Sequence, residues 1–85
     1  METLVTIENI EEVKADMSAN DQRDEIAIGC ETWGVFFRGQ RGQMTRWPNG
    51  RGAVAFGSTS IWGTWCNGVL VTDDGTAFDE YGASK

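Results

Sequence analysis

Four arginines and most of the aromatic residues share one segment of the chain that contains no acidic residue. This middle segment, residues 32–72, holds all four tryptophans and three of the four phenylalanines. Arginine side chains interspersed with aromatic rings bind phosphates and stack on unpaired bases, so the segment is a candidate surface for single-stranded nucleic acid or RNA. The alternative, which we favour, is that the rings form the core and the arginines pair with the chain's own acidic residues. The four arginines are Arg38, Arg41, Arg46 and Arg51.

The two ends of the chain have the opposite charge. Residues 1–31 carry nine acidic residues against two basic ones, a balance of −7, and residues 73–85 carry four against one, a balance of −3. Together with the four positive charges of the middle segment, these balances give a formal net charge of −6. A net negative charge argues against broad, non-specific DNA binding, because that binding needs a basic face that neutralises phosphates.

A chain this short with separated charges either folds its own opposite charges together or offers one charged region to a partner, and the sequence leaves both open. On the acidic side the candidate contacts lie on a predicted helix. An acidic helix can imitate the phosphates of a nucleic acid, as in some phage inhibitors of nucleases, although a solvated helix face is the simpler explanation. The candidate partner-binding residues are Glu8, Glu11, Glu12, Asp16, Arg38, Arg41, Arg46, Trp47 and Arg51.

Two segments resemble ligand-binding loops but are better explained as turns. Residues 48–52, Pro-Asn-Gly-Arg-Gly, contain the Gly-x-Gly and arginine of a phosphate cradle. Residues 73–75, Asp-Asp-Gly, with Asp79 and Glu80, contain the acids and the glycine of a calcium loop. Asn-Gly and Asp-Gly are strong turn signals, and two adjacent aspartates point apart, so we predict turns at both places.

The sequence carries no complete catalytic motif and no set of ligands for a structural zinc site. The chain has no histidine, which is the commonest general base and the commonest zinc ligand. Its two cysteines, Cys30 and Cys66, are predicted to be free buried thiols, because no secretion signal accompanies them. No apolar run approaches the roughly 18 residues of a membrane span. We therefore predict a protein that is not an enzyme and has no cofactor, no metal and no membrane segment.

The acidic residues must be positioned by an amphipathic helix near the start of the chain. Ile7, Ile10, Val13 and Met17 recur at helical spacing, which predicts a helix over residues 7–18 with Thr6 as its N-cap. A short strand-like run, residues 3–7, comes before it.

Residues 21–31 fit two different structures. Ile26, Ile28 and Cys30 alternate as the residues of a strand do, whereas Ile26, Cys30 and Trp33 have the spacing of one helix face. Both alternatives stay open at the level of sequence.

The arginines must be positioned by antiparallel strands joined by tight turns. Strands are predicted at residues 33–38, 44–47, 53–56, 60–66, 69–72 and, as a strand or the start of a helix, 76–81. Turns are predicted at residues 39–43, 48–50, 67–68 and 73–75. The expected core consists of Ile10, Val13, Trp33, Phe36, Phe56, Trp62, Trp65, Val69 and Val71.

These elements predict an α+β fold in a single domain, residues 1–85. An acidic helical part, residues 1–31, packs on a small, twisted antiparallel β part, residues 32–81, and residues 82–85 form a frayed tail. An acidic helix, or two, would cover one side of a sheet of hairpins.

The order of the predicted elements resembles that of a known family. Two helical or ambiguous segments come first, at residues 10–17 and 20–26, and strand-like runs follow at 33–37, 53–57 and 65–72. In this order the chain resembles the GNAT-like internal virion proteins of short-tailed bacteriophages. GNAT acetyltransferases bind acetyl-CoA with a Gln/Arg-x-x-Gly-x-Gly/Ala loop, and here residues 47–52 read Trp-Pro-Asn-Gly-Arg-Gly. The resemblance therefore implies a reduced, inactive half-fold, and no catalytic residue is carried over.

The expected function is that of a small acidic protein-binding module of bacteriophage type, a virion component or an inhibitor of a host protein. Its location would be the virion or the cytoplasm of the infected host cell. Two alternatives stay open: a single-stranded nucleic-acid binder that uses the arginine and aromatic residues of the middle segment, and a degenerate acyltransferase-like fragment.

Overall fold

The computed structural model of the protein describes residues 3–17 and 21–82. Within them the chain forms one α-helix, one 3₁₀ helix and seven strands, and the strands make a single antiparallel sheet whose order follows the sequence. The elements are β1 (Thr3–Leu4), α1 (Ile10–Asp16), the 3₁₀ helix (Asp21–Glu25), β2 (Glu31–Phe37), β3 (Gln40–Arg46), β4 (Arg51–Phe56), β5 (Thr59–Cys66), β6 (Val69–Thr72) and β7 (Ala77–Asp79).

The predicted α+β architecture, with an acidic helical part packed on a small sheet, is wrong. The protein is mostly a curled antiparallel sheet, and α1 has only seven residues. A helix of this length is not stable by itself, so it is held by the burial of Val13 and Met17. The helical pattern in the sequence was therefore real, but it describes a short segment packed on the sheet and not a second layer.

The helix begins three residues later than predicted because a turn precedes it. The side-chain oxygen of Asn9 accepts a hydrogen bond from the N–H of Thr6 at 2.7 Å, and the first α-helical bond runs from the N–H of Ile10 to the carbonyl of Thr6. Ile7 lies in this turn and is 74% exposed, so it leaves the apolar stripe. The predicted end of the helix, residue 18, lies outside the described residues.

The ambiguous residues 21–31 form the 3₁₀ helix and then an irregular link to β2. Ile26 and Cys30 are both buried, whereas Ile28 is 59% exposed. The helical spacing of Ile26 and Cys30 thus predicted which side chains are buried, although the backbone between them is not an α-helix.

The hairpin between β2 and β3 differs from the prediction of a turn at residues 39–43. Its turn consists of Arg38 and Gly39 alone, which both have positive φ, 52° and 78°, as a type I′ turn requires. Gln40 to Gln43 belong to β3. The sequence did not predict a strand there because these residues are polar or glycine. The turns predicted at 48–50, 67–68 and 73–75 are confirmed by the hairpin connections at those positions.

The inner face of the curled sheet holds the main core. Trp33, Met44 and Val54 lie opposite one another on three neighbouring strands, so their side chains point to the same side. Trp33 Nε1 donates a hydrogen bond to the carbonyl of Glu80 at 2.5 Å, so the chain after β7 crosses to β2 and closes the curl. The other residues of this core are Val35, Leu70 and Phe78, with Phe37, Phe56, Ile61 and Trp65 packed against them.

The expected aromatic core is confirmed for Trp33 and Val13, which are buried. Phe36 and Val71 are exposed, because the register of β2 and β6 places them on the outer face of the sheet. The other expected core residues are half-buried: Ile10, Phe56, Trp62, Trp65 and Val69. The fully buried centre is built from the aliphatic side chains of Met44, Val54 and Leu70 instead.

The helical segment covers only one half of the outer face. Thr32, Thr45 and Ala53 are neighbours on that face and are buried, and the 3₁₀ helix lies against β4 and β5. A second apolar cluster forms between the helical segment and the sheet, from Val5, Val13, Met17, Ile26 and Cys30, with Ile10 and Trp47 at its margin. On the remaining half, over the hairpin end of β2 and β3, Gly34, Phe36 and Arg41 are exposed, and no helix or strand of the described residues covers them.

Candidate partner-binding site

The open half of the outer face carries an aromatic ring and a guanidinium group side by side. Phe36 of β2 and Arg41 of β3 are directly opposite in the register, and Gly34 and Gln43 form the next outward-facing pair. Phe36 is 64% exposed, whereas Thr32, on the same face of the same strand, is 3% exposed. A strand that is covered at one end thus presents its other end to solvent.

A cleft of about 720 Å³ lies over this part of the sheet. Asp16, the last residue of α1, and Tyr81, which follows β7, line it together with Gly34, Phe36, Arg41 and Gln43. A smaller cleft of about 150 Å³ shares Asp16, Gly34 and Gln43 with it and reaches Thr3 and Thr32 beneath the helix. The two form one groove along β2, from the helix to the hairpin.

The two charged residues of the groove have no ion-pair partner among the residues that the structure describes. Ion pairs of other residues include those of Arg23 with Asp24, Arg46 with Glu31, and Arg51 with Asp73. Asp16 and Arg41 therefore present their charges to solvent, one at each end of the groove. Tyr81 is 75% exposed, and its N–H is held by the Asp79 carboxylate at 2.8 Å.

Arg46, one of the predicted partner-binding residues, lies on the inner face and is half-buried. Its guanidinium group lies over the rings of Trp33 and Trp65, at 5.4 Å and 5.5 Å from their centroids, and 3.2 Å from a carboxylate oxygen of Glu31. Glu31 is also its direct neighbour across the strands. Such cation–π and ionic contacts hold one rim of the core, so Arg46 has a structural role.

Trp47 and Arg51 also make contacts within the chain. The Trp47 ring stacks on Trp62 at 5.1 Å, and its Nε1 donates to the carbonyl of Glu25 at 3.1 Å, which ties the 3₁₀ helix to the sheet. Arg51 donates to Thr64 and lies 3.4 Å from Asp73. Arg51 is exposed and far along the outer face from the groove, on β4.

The remaining predicted contacts are exposed but separate. Arg38 lies over the ring of Phe37 at the hairpin turn, 5.0 Å from the centroid. Glu8, Glu11 and Glu12 lie on α1 and the turn before it, in solvent. Of the nine predicted residues, the structure brings only Asp16 and Arg41 into the same groove.

Sequence reasoning missed Gly34, Gln43 and Tyr81 as groove residues and placed Phe36 in the core. The signal for Phe36 was present, because Trp33, Val35 and Phe37 alternate with Gly34 and Phe36 and a strand points alternate side chains to opposite faces. Tyr81 had no such signal, since it reaches the groove only through the curl of the whole sheet.

The two loops weighed as ligand sites are turns. The ring of Trp65 lies where a side chain at position 52 would be, so Gly52 makes room for the core. Asp74 accepts hydrogen bonds from the hydroxyl of Thr72 and the N–H of Thr76, and these bonds lower the pKa of its carboxyl group. In the described part of the chain, no group of three potential metal ligands comes together.

Comparisons with protein-family models, with curated proteins and with solved structures each find no match. Among the described residues, no helix is long and apolar enough to cross a membrane.

Proposed function

We propose that the protein is a non-enzymatic protein-binding module and that the groove along β2 is its partner surface. The observation that carries the proposal is the exposed pair of Phe36 and Arg41 on the uncovered half of the outer face. Aromatic and arginine side chains are the types that contribute most of the binding free energy at protein interfaces, and here they lie next to each other in a concave surface.

The exposed rings of Phe36 and Tyr81 lose contact with water when a partner covers them. Fully burying one large apolar side chain yields roughly 1.5–3 kcal/mol, so covering the exposed 64% of Phe36 and 75% of Tyr81 would supply about 2–4 kcal/mol. A micromolar complex corresponds to about 8 kcal/mol, and association itself costs at least about 4 kcal/mol. The two rings would therefore supply one part of the binding free energy, and Asp16 and Arg41 would select and orient the partner.

The biological setting that we propose is a bacteriophage, with the protein acting in the virion or as an inhibitor of a host protein. Its support is the resemblance of the order of elements to GNAT-like virion proteins. The departure of residues 47–52 from the acetyl-CoA-binding pattern favours a non-enzymatic role. Calorimetric titration with acetyl-CoA tests the acyltransferase-like alternative, and saturable, stoichiometric heat would favour it.

The nucleic-acid alternative needs the four arginines on one accessible face. Arg46 lies on the inner face, Arg51 is paired with Asp73, and Arg38 lies at the hairpin turn. This distribution favours a protein partner over a phosphate backbone, which needs several arginines in a row.

The test is affinity capture from a bacterial extract with the full chain as bait. The double variant Phe36→Ser/Arg41→Gln removes the exposed pair, and Arg51→Gln serves as a matched control that removes an arginine outside the groove. We expect a protein retained by the parent and by Arg51→Gln but lost by the double variant. Equal retention by the double variant would contradict the proposed surface.

Fluorescence anisotropy with a labelled single-stranded oligonucleotide completes the test. At about 150 mM salt we expect no measurable binding, since phosphate contacts are heavily screened there. Tight binding that Arg38→Gln/Arg41→Gln abolishes would support the nucleic-acid alternative in place of the protein-binding module.

A further inference from the structure

One of the eleven glycines has no explanation in the fold of this chain. Seven of them have positive φ, between 64° and 97°, where a side chain is strained. At three others, Gly42, Gly52 and Gly63, a Cβ atom would collide with a ring or with the backbone. Gly34 has neither reason: its φ is not in the positive range, and no atom of residues 3–17 or 21–82 outside its two chain neighbours lies within 4 Å of where its Cβ would be.

Glycine is an unfavourable residue at this position. Gly34 lies in the middle of β2, a strand of seven residues with partners along its whole length in β3. A glycine in a strand interior lowers stability relative to alanine, and it often marks a place where another group approaches the backbone closely. At Gly34, in the middle of β2, the floor of the groove therefore has no side chain.

The same sheet shows what occupies bare glycines. Gly42 lies under the ring of Phe56, and Gly52 lies under the indole of Trp65, whose Nε1 donates to the carbonyl of Thr45 at 3.1 Å. In both cases an aromatic ring from a neighbouring strand covers the glycine, a pairing that stabilises glycines in sheets. Both of these glycines face the inner core, whereas Gly34 faces outward and, in the part of the chain that the structure describes, no ring covers it.

We infer that Gly34 is the seat for an aromatic side chain of a partner protein, in an extended segment that places an acidic residue near Arg41 and a basic residue near Asp16. The inference rests on the proposed function and names what the partner inserts. Phe36 and Tyr81, which line the same groove, provide ring edges beside the seat.

Charge complementarity with Asp16 and Arg41 decides which residues should flank the aromatic residue of the partner. Asp16 lies at the end of the groove next to α1, where it lines the smaller cleft together with Thr3 and Thr32. Arg41 lies toward the hairpin, opposite Phe36. Gly34 is between them, so a segment with opposite charges on the two sides of its aromatic residue would match both.

The probes follow from this geometry. In an extended chain, residues two apart point to the same side, so the charges belong two positions from the ring. We choose the capped pentapeptides Asp-Ala-Trp-Ala-Lys and Lys-Ala-Trp-Ala-Asp, which cover both chain directions. The matched control peptides carry Leu in place of Trp.

The experiment is an NMR titration of the full chain with each peptide, followed at the amide signals of Gly34, Phe36 and Gln43. We expect one of the tryptophan peptides to shift these signals saturably and the leucine peptides to bind at least about tenfold more weakly, since only a flat ring fits against the glycine backbone. Equal binding of the leucine peptide, or no shift with either tryptophan peptide, would overturn the inference.

Gly34→Val tests the seat itself. Because Gly34 is exposed and none of the described residues beyond its chain neighbours has an atom within 4 Å of its Cβ position, the variant should fold and melt no lower than the parent while losing the tryptophan peptide. Thr64→Val, at an exposed position of β5, is the matched control and should bind as the parent does. Binding by Gly34→Val at parental affinity contradicts the seat.

The inference and the proposed function fail in different ways. If Gly34→Val still captures a protein that Phe36→Ser/Arg41→Gln loses, the partner surface stands and the aromatic seat is wrong. If Phe36→Ser/Arg41→Gln captures the protein as well as the parent does, the surface itself is wrong.

Discussion

At the scale of single residues, the two cysteines are in opposite environments. Cys30 is fully buried in the cluster under the helical segment, and burial raises the pKa of its thiol. Cys66, at the end of β5, is exposed, and both thiols are free. The sequence-based expectation of two buried thiols is thus confirmed for Cys30 and wrong for Cys66.

This difference predicts selective alkylation. The thiolate is the reactive form, and a raised pKa together with burial keeps Cys30 protonated and shielded. We expect iodoacetamide at about pH 8 to label Cys66 alone in the folded protein and both cysteines in denaturant, as read by peptide mass spectrometry. Labelling of Cys30 at a comparable rate under native conditions would show that the helical segment opens readily.

Cys30 also affects how the stability of the protein changes with pH. When the pKa of a thiol is higher in the folded state than in the unfolded state, the unfolded chain loses its thiol proton first as the pH rises. Above the pKa of the unfolded state, the free energy of unfolding therefore falls with rising pH. Cys30 therefore contributes to a fall in stability above about pH 9.0, which is the ordinary pKa of a cysteine thiol. Cys30→Ala should reduce that slope.

At the scale of elements, the strands fit together because glycines admit rings. Gly42 and Gly34 lie on adjacent strands but differ in what surrounds them, which makes them a matched pair. We expect Gly42→Ala to lose about 1–3 kcal/mol, because its methyl group meets the ring of Phe56 and the carbonyl of Ala55. Gly34→Ala should gain roughly 0.5–1 kcal/mol through strand propensity alone.

Thermal melting separates the two outcomes. For a domain of this size, 1 kcal/mol corresponds to a shift of roughly 4–8 °C, so the two variants should melt on opposite sides of the parent. Similar melting temperatures for both variants would show that the space around Gly34 is not open as described.

The elements also show how much of the fold was predictable from the sequence. The turn at Asn67 and Gly68 was predictable because its chemistry is local: both residues accept positive φ. The length of β3 was not, because Gly42 belongs in a strand only once Phe56 covers it. The extent of α1 was not predictable either, since burial against the sheet decides which of its turns survive. For the groove, Asp16 and Arg41 were among the candidates, whereas Tyr81 arrives only through the curl.

At the scale of the whole molecule, Trp65 links several parts of the core. Its ring packs against Trp33 at 5.6 Å and over Gly52, and its Nε1 is bonded to Thr45. Trp65→Ala should cost about 3 kcal/mol, at the lower end for a large aromatic residue because the side chain is only half-buried. That is a large share of the roughly 4–13 kcal/mol expected for a domain of 85 residues.

Two further variants separate the contributions of Trp65 from those of Trp62. Trp65→Phe keeps an aromatic ring but removes the Nε1 hydrogen bond and the part of the indole nearest Gly52, so it should cost about 1–3 kcal/mol. Trp62→Ala removes the stack that holds Trp47 and should loosen the helical segment while leaving the inner core intact. Urea denaturation measures all three, and a parental midpoint for Trp65→Ala would contradict its place in the core.

The charge of the whole molecule predicts how salt changes partner binding. The protein measures 35 × 27 × 21 Å, and the Debye length is about 30 Å at 0.01 M salt but about 8 Å at 0.15 M. At low salt a partner therefore senses the net charge of −6, and at physiological salt it senses only the charges near the groove. With a captured partner of net positive charge, we expect the association rate constant to fall several-fold between these conditions, while the dissociation rate constant changes little.

Three exposed acidic residues and Arg41 should affect different rate constants. Glu8→Gln/Glu11→Gln/Glu12→Gln should reduce the association rate constant at low salt alone, because these residues act at long range. Arg41→Gln should speed dissociation at both salt concentrations. Stopped-flow fluorescence measures both rate constants. If neither salt nor these variants changes them, the contact is apolar, and the rings of Phe36 and Tyr81 carry the binding without help from charge.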